Sequence, residues 1–327
     1  MIKNKTVKTL LLFQLCCAPL VLAQDGHYWT QQYGTRSILL SNSVIGGVND
    51  LGAVYYNPGS LSLIENPAFL LNVNVYELTQ LKFDDAVGEG ADRSKSSFGS
   101  VPTFVAGTFK LKQLEGHQFA YSIIQRQNLN FEFNFRDEIL GDVIENFPGE
   151  EYFGANINFS NRSKEDWYSL SWSYPLKENL SVGITSSATR YSIDKGTLIE
   201  LQALTESNEV AQLQIDRNYS FNNYGLLWKL GVAGTANRFQ WGVTVTTPSI
   251  LIAGNGKYNF EYFFSGIKGV SENPDQFATS RQKDLSITYK RPLAVGGGIS
   301  IPLNKSQLHF SMEWYSSIKE YTIMAVS

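Results

Sequence analysis

The stretch DWYSLSWSYP, residues 166–175, decides the fold class. Side chains alternate between the two faces of a strand. Tyr168, Leu170, Trp172 and Tyr174 therefore share one apolar, aromatic face, and three serines share the other. Two architectures fit such a strand: a soluble sandwich whose apolar face meets a second sheet, or a membrane barrel whose apolar face meets lipid and whose serines face the lumen.

The same alternation recurs along the chain. It occurs in these sets: Leu129, Phe131, Phe133 and Phe135; Tyr224, Leu226, Trp228, Leu230 and Val232; Trp241, Val243 and Val245; Leu308, Phe310, Met312 and Trp314. Polar or small residues lie between them, and Lys229 faces away from the stripe of Tyr224 to Val232. The pattern predicts an all-β protein and leaves both architectures open.

Residues 1–23 have the pattern of a secretory signal, with three lysines before an apolar run that ends at Ala23. Both cysteines, Cys16 and Cys17, lie inside it, so we expect no disulfide in the mature chain. No later stretch reaches the roughly 18 to 20 apolar residues of a membrane helix. The chain is therefore expected to be periplasmic, secreted or a barrel.

Composition narrows the function classes. Loss of the three signal lysines from 27 basic residues leaves the 30 acidic ones in clear excess, so no nucleic-acid partner is expected. The aromatic content of 13% is high and fits the aromatic girdles of a membrane barrel.

The connections between strands alternate in length. We predict short turns at 113–116, 175–179, 234–237 and 302–305, and long polar connections at 84–100, 137–165, 195–214 and 248–283. Short turns at one end and long loops at the other are typical of outer-membrane barrels. A sandwich has no reason to keep that order.

Nine strands are predicted on this basis. They cover 68–82, 101–112, 117–136, 166–174, 179–194, 217–232, 238–247, 284–301 and 307–323. Pro292 falls in the eighth, where its missing N–H donor predicts a bulge or an edge-facing kink. An ordinary bulge is the favoured interpretation, and a lateral gap in the wall is the alternative.

Before the first strand lies GGVNDLGAVYYNPGSL, residues 46–61, with turn-forming glycines and an Asn-Pro-Gly cluster. A signal, this segment and then a train of alternating strands together resemble the FadL family of outer-membrane transporters of hydrophobic compounds. The motif matches at Asn57, Pro58 and Leu61 and departs from the family at Gly59 and Ser60.

The resemblance implies a transmembrane antiparallel β-barrel of 14 strands, plugged by an N-terminal hatch. Its domains would be a signal over 1–23, a hatch over 24–66 and a barrel over 67–327. The hatch motif residues would be Gly46, Gly47, Asp50, Asn57, Pro58 and Leu61. Nine strands fall short of 14 and are odd in number, so we expect either that the chain stops before the barrel closes or that strands escape the pattern.

Catalysis has little support in the sequence. His27, His117 and His309 are scattered without metal-ligand spacing, and no nucleophile elbow, P-loop or dinucleotide fingerprint occurs. We predict a protein that is not an enzyme and holds no metal or cofactor. A Ser-His phospholipase barrel is a minor alternative, because such groups assemble in space rather than in sequence.

One long connection carries a possible ligand face. In DEILGDVIENF, residues 137–147, apolar residues at helical spacing predict a short amphipathic helix. Leu140, Val143 and Phe147 would contact a hydrophobic ligand, or would pack on the barrel rim. Arg126, Arg136 and Arg190 are candidates for holding a carboxylate head group, although arginines that face solvent or lipopolysaccharide phosphate are commoner.

The interpretation that follows is passive transport of hydrophobic small molecules, such as long-chain fatty acids, across the cell outer membrane. The surroundings would be outer-membrane lipid and lipopolysaccharide. Two alternatives stay open. One is a FadL-like barrel that acts as a docking or shuttle component of a secretion system, and the other is a secreted soluble β-sandwich binding module.

Overall fold

A computed structural model describes residues 32–48, 50–64, 69–83, 93–142, 149–266 and 275–327. Two short helices, α1 (Thr35–Leu39) and α2 (Ala53–Tyr56), and a 3₁₀ helix (Pro58–Leu63) precede the strands. No helix in these ranges is long and apolar enough to cross a membrane. The predicted signal and His27 lie outside the described residues.

In the described residues, eleven antiparallel strands form one sheet. They are β1 (Phe69–Phe83), β2 (Arg93–Phe109), β3 (Gln118–Gly141), β4 (Glu151–Lys177), β5 (Leu180–Leu204), β6 (Val210–Ala236), β7 (Phe239–Thr246), β8 (Ile250–Ser265), β9 (Asp275–Leu285), β10 (Ala294–Leu303) and β11 (Ser306–Tyr315). The predicted all-β, antiparallel class is confirmed. The chain forms one sheet and not the two facing sheets of a sandwich.

The eleven strands follow nine courses across the sheet. β7 and β8 pair in turn with the lower and upper parts of β6, so they continue one another with a short interruption. β9 pairs with β8 and β10 pairs with β7, so they form the next course. The nine predicted strands correspond to these nine courses. The predicted loop over 248–283 is wrong, because most of it forms β8 and β9.

The other long connections are also mostly strand where the structure describes them, and residues 84–92 of the first lie outside the described residues. β3 continues to Gly141, so the predicted helix over 137–147 is wrong for 137–141. Val143 and Phe147 lie outside the described residues. β4 begins at Glu151 and β5 runs to Leu204. These long polar stretches resemble loops in sequence because their strands carry polar residues on one face, as solvent-exposed strands do.

The predicted short turns are confirmed at one end of the sheet. They connect β2 to β3, β4 to β5, β6 to β7 and β10 to β11. Asn237 and Asn304 occupy two of them with φ of 54° and 46°. Asparagine tolerates this left-handed conformation, which tight hairpin turns require.

The strand predicted over 284–301 is broken. Residues 286–293, here called the break segment, belong to no strand and contain Pro292. Ladder pairs end at Thr246 with Ala294 and resume at Gly256 with Leu285. The predicted bulge is therefore wrong, because the interruption spans a whole segment.

The sheet is open in the part of the chain that the structure describes. β1 pairs only with β2, and β11 pairs only with β10. The order of the sheet between these edges follows the chain except where β8 and β9 branch from β6.

The lower part of the sheet, near the short turns, is apolar outside and small or polar inside. Inward is defined as the side that contacts residues 32–64. Tyr168 and Leu170 are 49% and 63% exposed on the outward face, while Ser169, Ser171 and Ser173 are buried on the inward face. The outward stripes of β6, β7 and β11 follow the predicted alternation, with Leu230, Val243 and Phe310 exposed.

Between this level and the hairpin tips, the same strands have the opposite polarity. On β4, Asn158, Ser160 and Arg162 take the outward positions and Ile157 and Phe159 the inward ones. On β6 the outward residues change from Leu226 and Tyr224 to Asn222, Ser220 and Asn218. Paired residues share a face, so the inward rings of β3, β6 and β8 line one concave surface; they are Phe131, Phe133, Phe135, Tyr219, Phe221, Tyr258 and Phe260.

Residues 32–64, here called the N-terminal segment, lie on the concave face of the lower sheet. Thr185 Oγ1 donates to the Val54 carbonyl at 2.8 Å, and Ser173 Oγ donates to the Gly59 carbonyl at 3.2 Å. The backbones come so close that glycine is required on the wall: a Cβ at Gly231 would lie 2.2 Å from Asn57 Oδ1. Small inward residues thus let the segment pack directly against the strands.

Gly231→Val is expected to displace the N-terminal segment, because its side chain would overlap Asn57 and Pro58. Limited proteolysis of the folded protein in detergent should then cleave within residues 32–64 at least tenfold faster. Gly297→Val is the matched control, since the atom nearest to its Cβ is 3.9 Å away. Equal cleavage of the two variants would contradict the packing argument.

Candidate functional site

An apolar cavity of about 490 Å³ opens on the concave face of the upper sheet. Two successive rows of paired inward residues form most of its wall: Phe131, Asn161, Lys195 and Tyr219 in one, and Phe133, Phe159, Thr197 and Arg217 in the other. The Phe133 and Phe159 rings lie 6.2 Å apart. The cavity therefore offers stacked rings to an apolar molecule.

Two cations border this aromatic wall. The Arg217 guanidinium lies 5.5 Å from the centroid of the Phe260 ring, a cation–π distance. Neither Lys195 nor Arg217 forms an ion pair with a carboxylate of the described residues. An acidic group that entered the cavity would find positive charge beside apolar surface.

A layer of buried charge lies two rows below the cavity. The Arg291 side chain of the break segment forms an ion pair with Glu165 on β4, and both are more than 90% buried. Glu165 also accepts a hydrogen bond from Trp167 Nε1. The Arg126 and Arg291 guanidinium carbons lie 5.2 and 5.3 Å from the centroid of the Trp167 ring. Four side chains from three parts of the chain thus meet inside the concave face.

A second ion pair lies lower and touches the N-terminal segment. Lys229 on β6 approaches Glu313 on β11, with 4.0 Å between Nζ and Oε1. Its Nζ also lies 5.0 Å from the centroid of the Tyr55 ring. Tyr55 in turn contacts Tyr33 edge-on, with 4.6 Å between the ring centroids. The pair links two strands that are not neighbours in the sheet to the N-terminal segment.

Burial raises the pKa of the Tyr33, Tyr55 and Tyr56 hydroxyls, because the phenolate form would lose its water. The three hydroxyls therefore stay protonated at neutral pH. Tyr56 donates to Asn42 Oδ1 at 2.7 Å, and Tyr33 donates to the Gln125 carbonyl at 3.1 Å. These hydrogen bonds fix the N-terminal segment internally and to β3.

Asn57 joins the N-terminal segment to the wall. It is fully buried, and its Nδ2 donates to the carbonyls of Ile45 and Val232 at 3.1 Å each. Its Oδ1 accepts from the Gly59 N–H, which starts the 3₁₀ helix at Pro58. One amide side chain therefore connects two parts of the segment to β6.

The other predicted motif residues lie around Asn57 in the same segment. A Cβ at Gly46 would lie 2.4 Å from the Gly298 carbonyl carbon, and one at Gly47 would lie 2.7 Å from Gln240 Oε1. Asp50 accepts from the Gly52 N–H at 2.8 Å, and Leu61 is fully buried in the core. The six residues share one packed unit against the sheet.

The structure places the remaining candidates at different levels. Leu140 is 54% exposed and lines a second cavity of about 450 Å³ with Tyr152 and Leu204, near the tips of the long hairpins. Arg136 and Arg190 are exposed, and Arg136 pairs with Glu138. Arg126 alone of the three arginines reaches the interior.

Four residues of these two sites are not predicted from the sequence: Glu165, Arg291, Lys195 and Arg217. For Lys195 and Arg217 the strand alternation carried a signal, because each lies two residues from apolar residues that face inward on the same strand. The pairing of Glu165 with Arg291 had no such signal, because the break segment leaves the sheet. Within the described residues, no group of His, Cys, Asp and Glu side chains is arranged to hold a metal ion.

Comparison with solved structures finds two similar chains. The toluene transporter TbuX of Ralstonia pickettii is 14% identical, with a TM-score of 0.46 over 86% of this chain and 71% of its own. The toluene transporter TodX of Pseudomonas putida is 12% identical, with a TM-score of 0.39 over 88% of this chain and 84% of its own. No protein-family model and no curated protein matches the chain.

Asn57→Asp is expected to loosen the N-terminal segment. The substitution keeps the shape but sets a carboxylate oxygen against the carbonyls of Ile45 and Val232, and each lost buried partner costs about 1–3 kcal/mol. Unfolding of the detergent-solubilised protein in urea, followed by protease resistance of residues 32–64, measures the loss. Asn130→Asp on the exposed outward face of β3 is the control and should leave both readings unchanged.

Proposed function

We propose that this protein is an outer-membrane channel for the passive entry of hydrophobic small molecules, with a FadL-like build. The single observation that carries the proposal is the reversal of polarity along the strands. Apolar outward residues suit lipid around the lower sheet, and polar outward residues suit water around the upper sheet. The apolar inward face of the upper part would then bind a hydrophobic molecule, away from water, before it reaches the membrane.

The height of the outward apolar band supports a membrane position. It runs from Tyr168 to Leu176 on β4 and from Tyr224 to Val232 on β6, and the two ranges are offset by one outward row in the register of the paired strands. A tilted strand crosses a bilayer with about 9–11 residues. The upper parts of β3 to β6 would extend beyond the lipid, and the tips of their hairpins would lie on the extracellular side.

The N-terminal segment would act as the hatch. It contacts the lower wall through Asn57, Pro58 and Gly59 and blocks the space that the small inward residues leave. In this proposal, a ligand partitions into the upper cavity, moves down to the segment and leaves when residues near Asn57 shift. Residues 24–66 and 67–327 would then be the hatch and barrel domains.

Long-chain fatty acids are the ligands that suit the upper cavity best. Each buried CH₂ contributes about 0.8 kcal/mol, so the rings of Phe131, Phe133 and Phe159 can hold an acyl chain. Lys195 and Arg217 would receive the carboxylate head group. Leu140, with the predicted Val143 and Phe147, would belong to an earlier contact site at the tips.

The alternative of a docking or shuttle component of a secretion system is not favoured by any specific feature of the described residues. The polarity reversal favours a membrane channel over a soluble binding module, because a module in water would expose the apolar lower stripes. The mechanism above involves binding and movement, with no chemical step.

Leu170→Lys is expected to impair membrane insertion. Leu170 lies level with Trp228 in the middle of the apolar band, where a lysine on the lipid face costs about 2–4 kcal/mol. Folding into lipid vesicles, followed by heat-modifiable gel migration, measures the effect. Asn158→Lys on the outward face of upper β4 should fold normally, and an equal defect in both variants would count against the membrane position.

Lys195→Met and Arg217→Met, singly and together, are expected to reduce uptake of radiolabelled oleate by about tenfold. A hydrogen bond to a charged group contributes about 1.5–3 kcal/mol, which the variants lose. Uptake of labelled toluene, which has no head group, should not change. Lys257→Met, which removes a charge from the outward face of β8, is the control.

Two results of this uptake experiment have separate meanings. Equal loss of oleate and toluene uptake in the variants would contradict head-group recognition. Absence of uptake of either compound by the unmodified protein in intact cells would contradict the channel itself.

A further inference from the structure

The break segment crosses the concave face between the upper cavity and the N-terminal segment. Its Ile287 is 3% exposed and packs against Tyr191 of β5 and Phe221 of β6. The Tyr289 and Tyr191 ring centroids are 4.5 Å apart. Tyr191 and Glu165 belong to one row of paired inward residues, two rows below Lys195. The segment therefore lies on the route from the cavity to the hatch.

The break segment is held by few bonds to the sheet. Its ladder is interrupted on the side of β8, as described above. Its backbone bonds instead to the C-terminal residues, with Thr288 N–H donating to the Ile323 carbonyl at 2.9 Å and Lys290 N–H donating to Tyr321 Oη at 3.1 Å. Movement would therefore leave the long ladders of β3 to β6 intact.

Both ends of the break segment have conformations suited to a hinge. Asp284, just before it, has φ of 55°, in the left-handed region that aspartate tolerates. Pro292, near its other end, has no N–H to donate to a ladder. Hinges are commonly a few such residues at the ends of regular elements.

One ion pair fixes the break segment to the opposite wall. Arg291 pairs with Glu165 of β4 and stacks over Trp167, while its guanidinium also lies 5.6 Å from the Tyr289 ring centroid. Removal of one partner from a buried pair leaves the other charge uncompensated, which strongly disfavours the closed arrangement.

We infer that residues 286–293 form an inner gate in series with the hatch, held closed by the Glu165–Arg291 pair. The inference rests on the proposed function, since a gate needs a passage. It differs from the hatch in its residues and position: the ligand passes the break segment first and the N-terminal segment second. Arg291 is a positioning residue, because it acts by holding Tyr289 and Ile287 across the route.

The test uses a single cysteine at the lower border of the gate, level with Trp167. Thr189 lies inward and buried on β5, one row below Tyr191, and the described residues contain no cysteine. Thr189→Cys is introduced into the full mature chain in detergent and labelled with a bulky, charged maleimide. Arg291→Met and Glu165→Gln should each raise the labelling rate at least tenfold, and Arg291→Lys, which keeps the charge, should raise it less.

Lys290→Met is the matched control. It removes a positive charge from the same segment, but Lys290 is exposed and lies over Tyr321 on the other side. Its labelling rate should equal that of the unmodified background, and a cysteine at exposed Ser207 should react equally in every variant. Equal rates in folded Arg291→Met and Lys290→Met would overturn the gate.

A second measurement does not depend on the folding of the variants. Hydrogen exchange of the unmodified protein, followed by mass spectrometry, should show faster exchange in 286–293 than in the strands on either side. Protection of the segment equal to that of β10 would overturn the inference. Neither measurement uses transport, so a failed uptake assay would count against the channel, whereas slow labelling and slow exchange would count against the gate.

Discussion

The structure depends on the alternation of side chains across paired antiparallel strands. Because directly paired residues share a face, each row of the sheet carries one kind of surface inward and another outward. Small inward residues at the lower level allow the N-terminal segment to approach the backbone of the wall. Inward rings at the upper level form a cavity from those same strands.

This constraint also explains why buried charge collects between the two levels. The concave face carries rings above and hydroxyl and glycine surfaces below, and it changes character where Glu165, Trp167 and Arg291 meet. Buried ionic groups need partners, and here the partners are far apart in the chain: Arg291 of the break segment pairs with Glu165, and Lys229 pairs with Glu313. Ion pairs therefore connect distant parts of the chain across the concave face, in addition to the backbone pairing of the strands.

Much of this arrangement could be predicted from residue types alone. The serine face of β4, the outward stripe of β6 and the short turns follow from local alternation and turn chemistry. The upper strands could not be recognised, because residues such as Asn158, Ser160 and Arg162 resemble a polar loop when their paired strand is unknown. Arg291 reaches the interior because the ladder is interrupted at the break segment. A proline within a strand pattern predicts only a bulge there.

The candidate site could be predicted from the sequence only where its residues are close together in the chain. Asn57, Pro58 and Leu61 belong to a continuous segment with its own turn signals, so their proximity follows from the chain. Lys195 and Arg217 come together through the pairing of β5 with β6. Glu165 meets Arg291 only because the sheet curves and the break segment crosses its concave face. Contacts between distant residues carry no local signal.

The irregularity at Arg126 connects two features that otherwise look unrelated. β3 has one extra residue there, since Gln125 and Gln127 pair with the consecutive residues Asp166 and Glu165. Below this point the even-numbered residues of β3 face inward, and above it the odd-numbered ones do. Phe131 and Phe133 reach the interior because of that single residue. Arg126, which stacks on Trp167, is thus also the extra residue that shifts the alternation of β3 and turns its aromatic side chains inward.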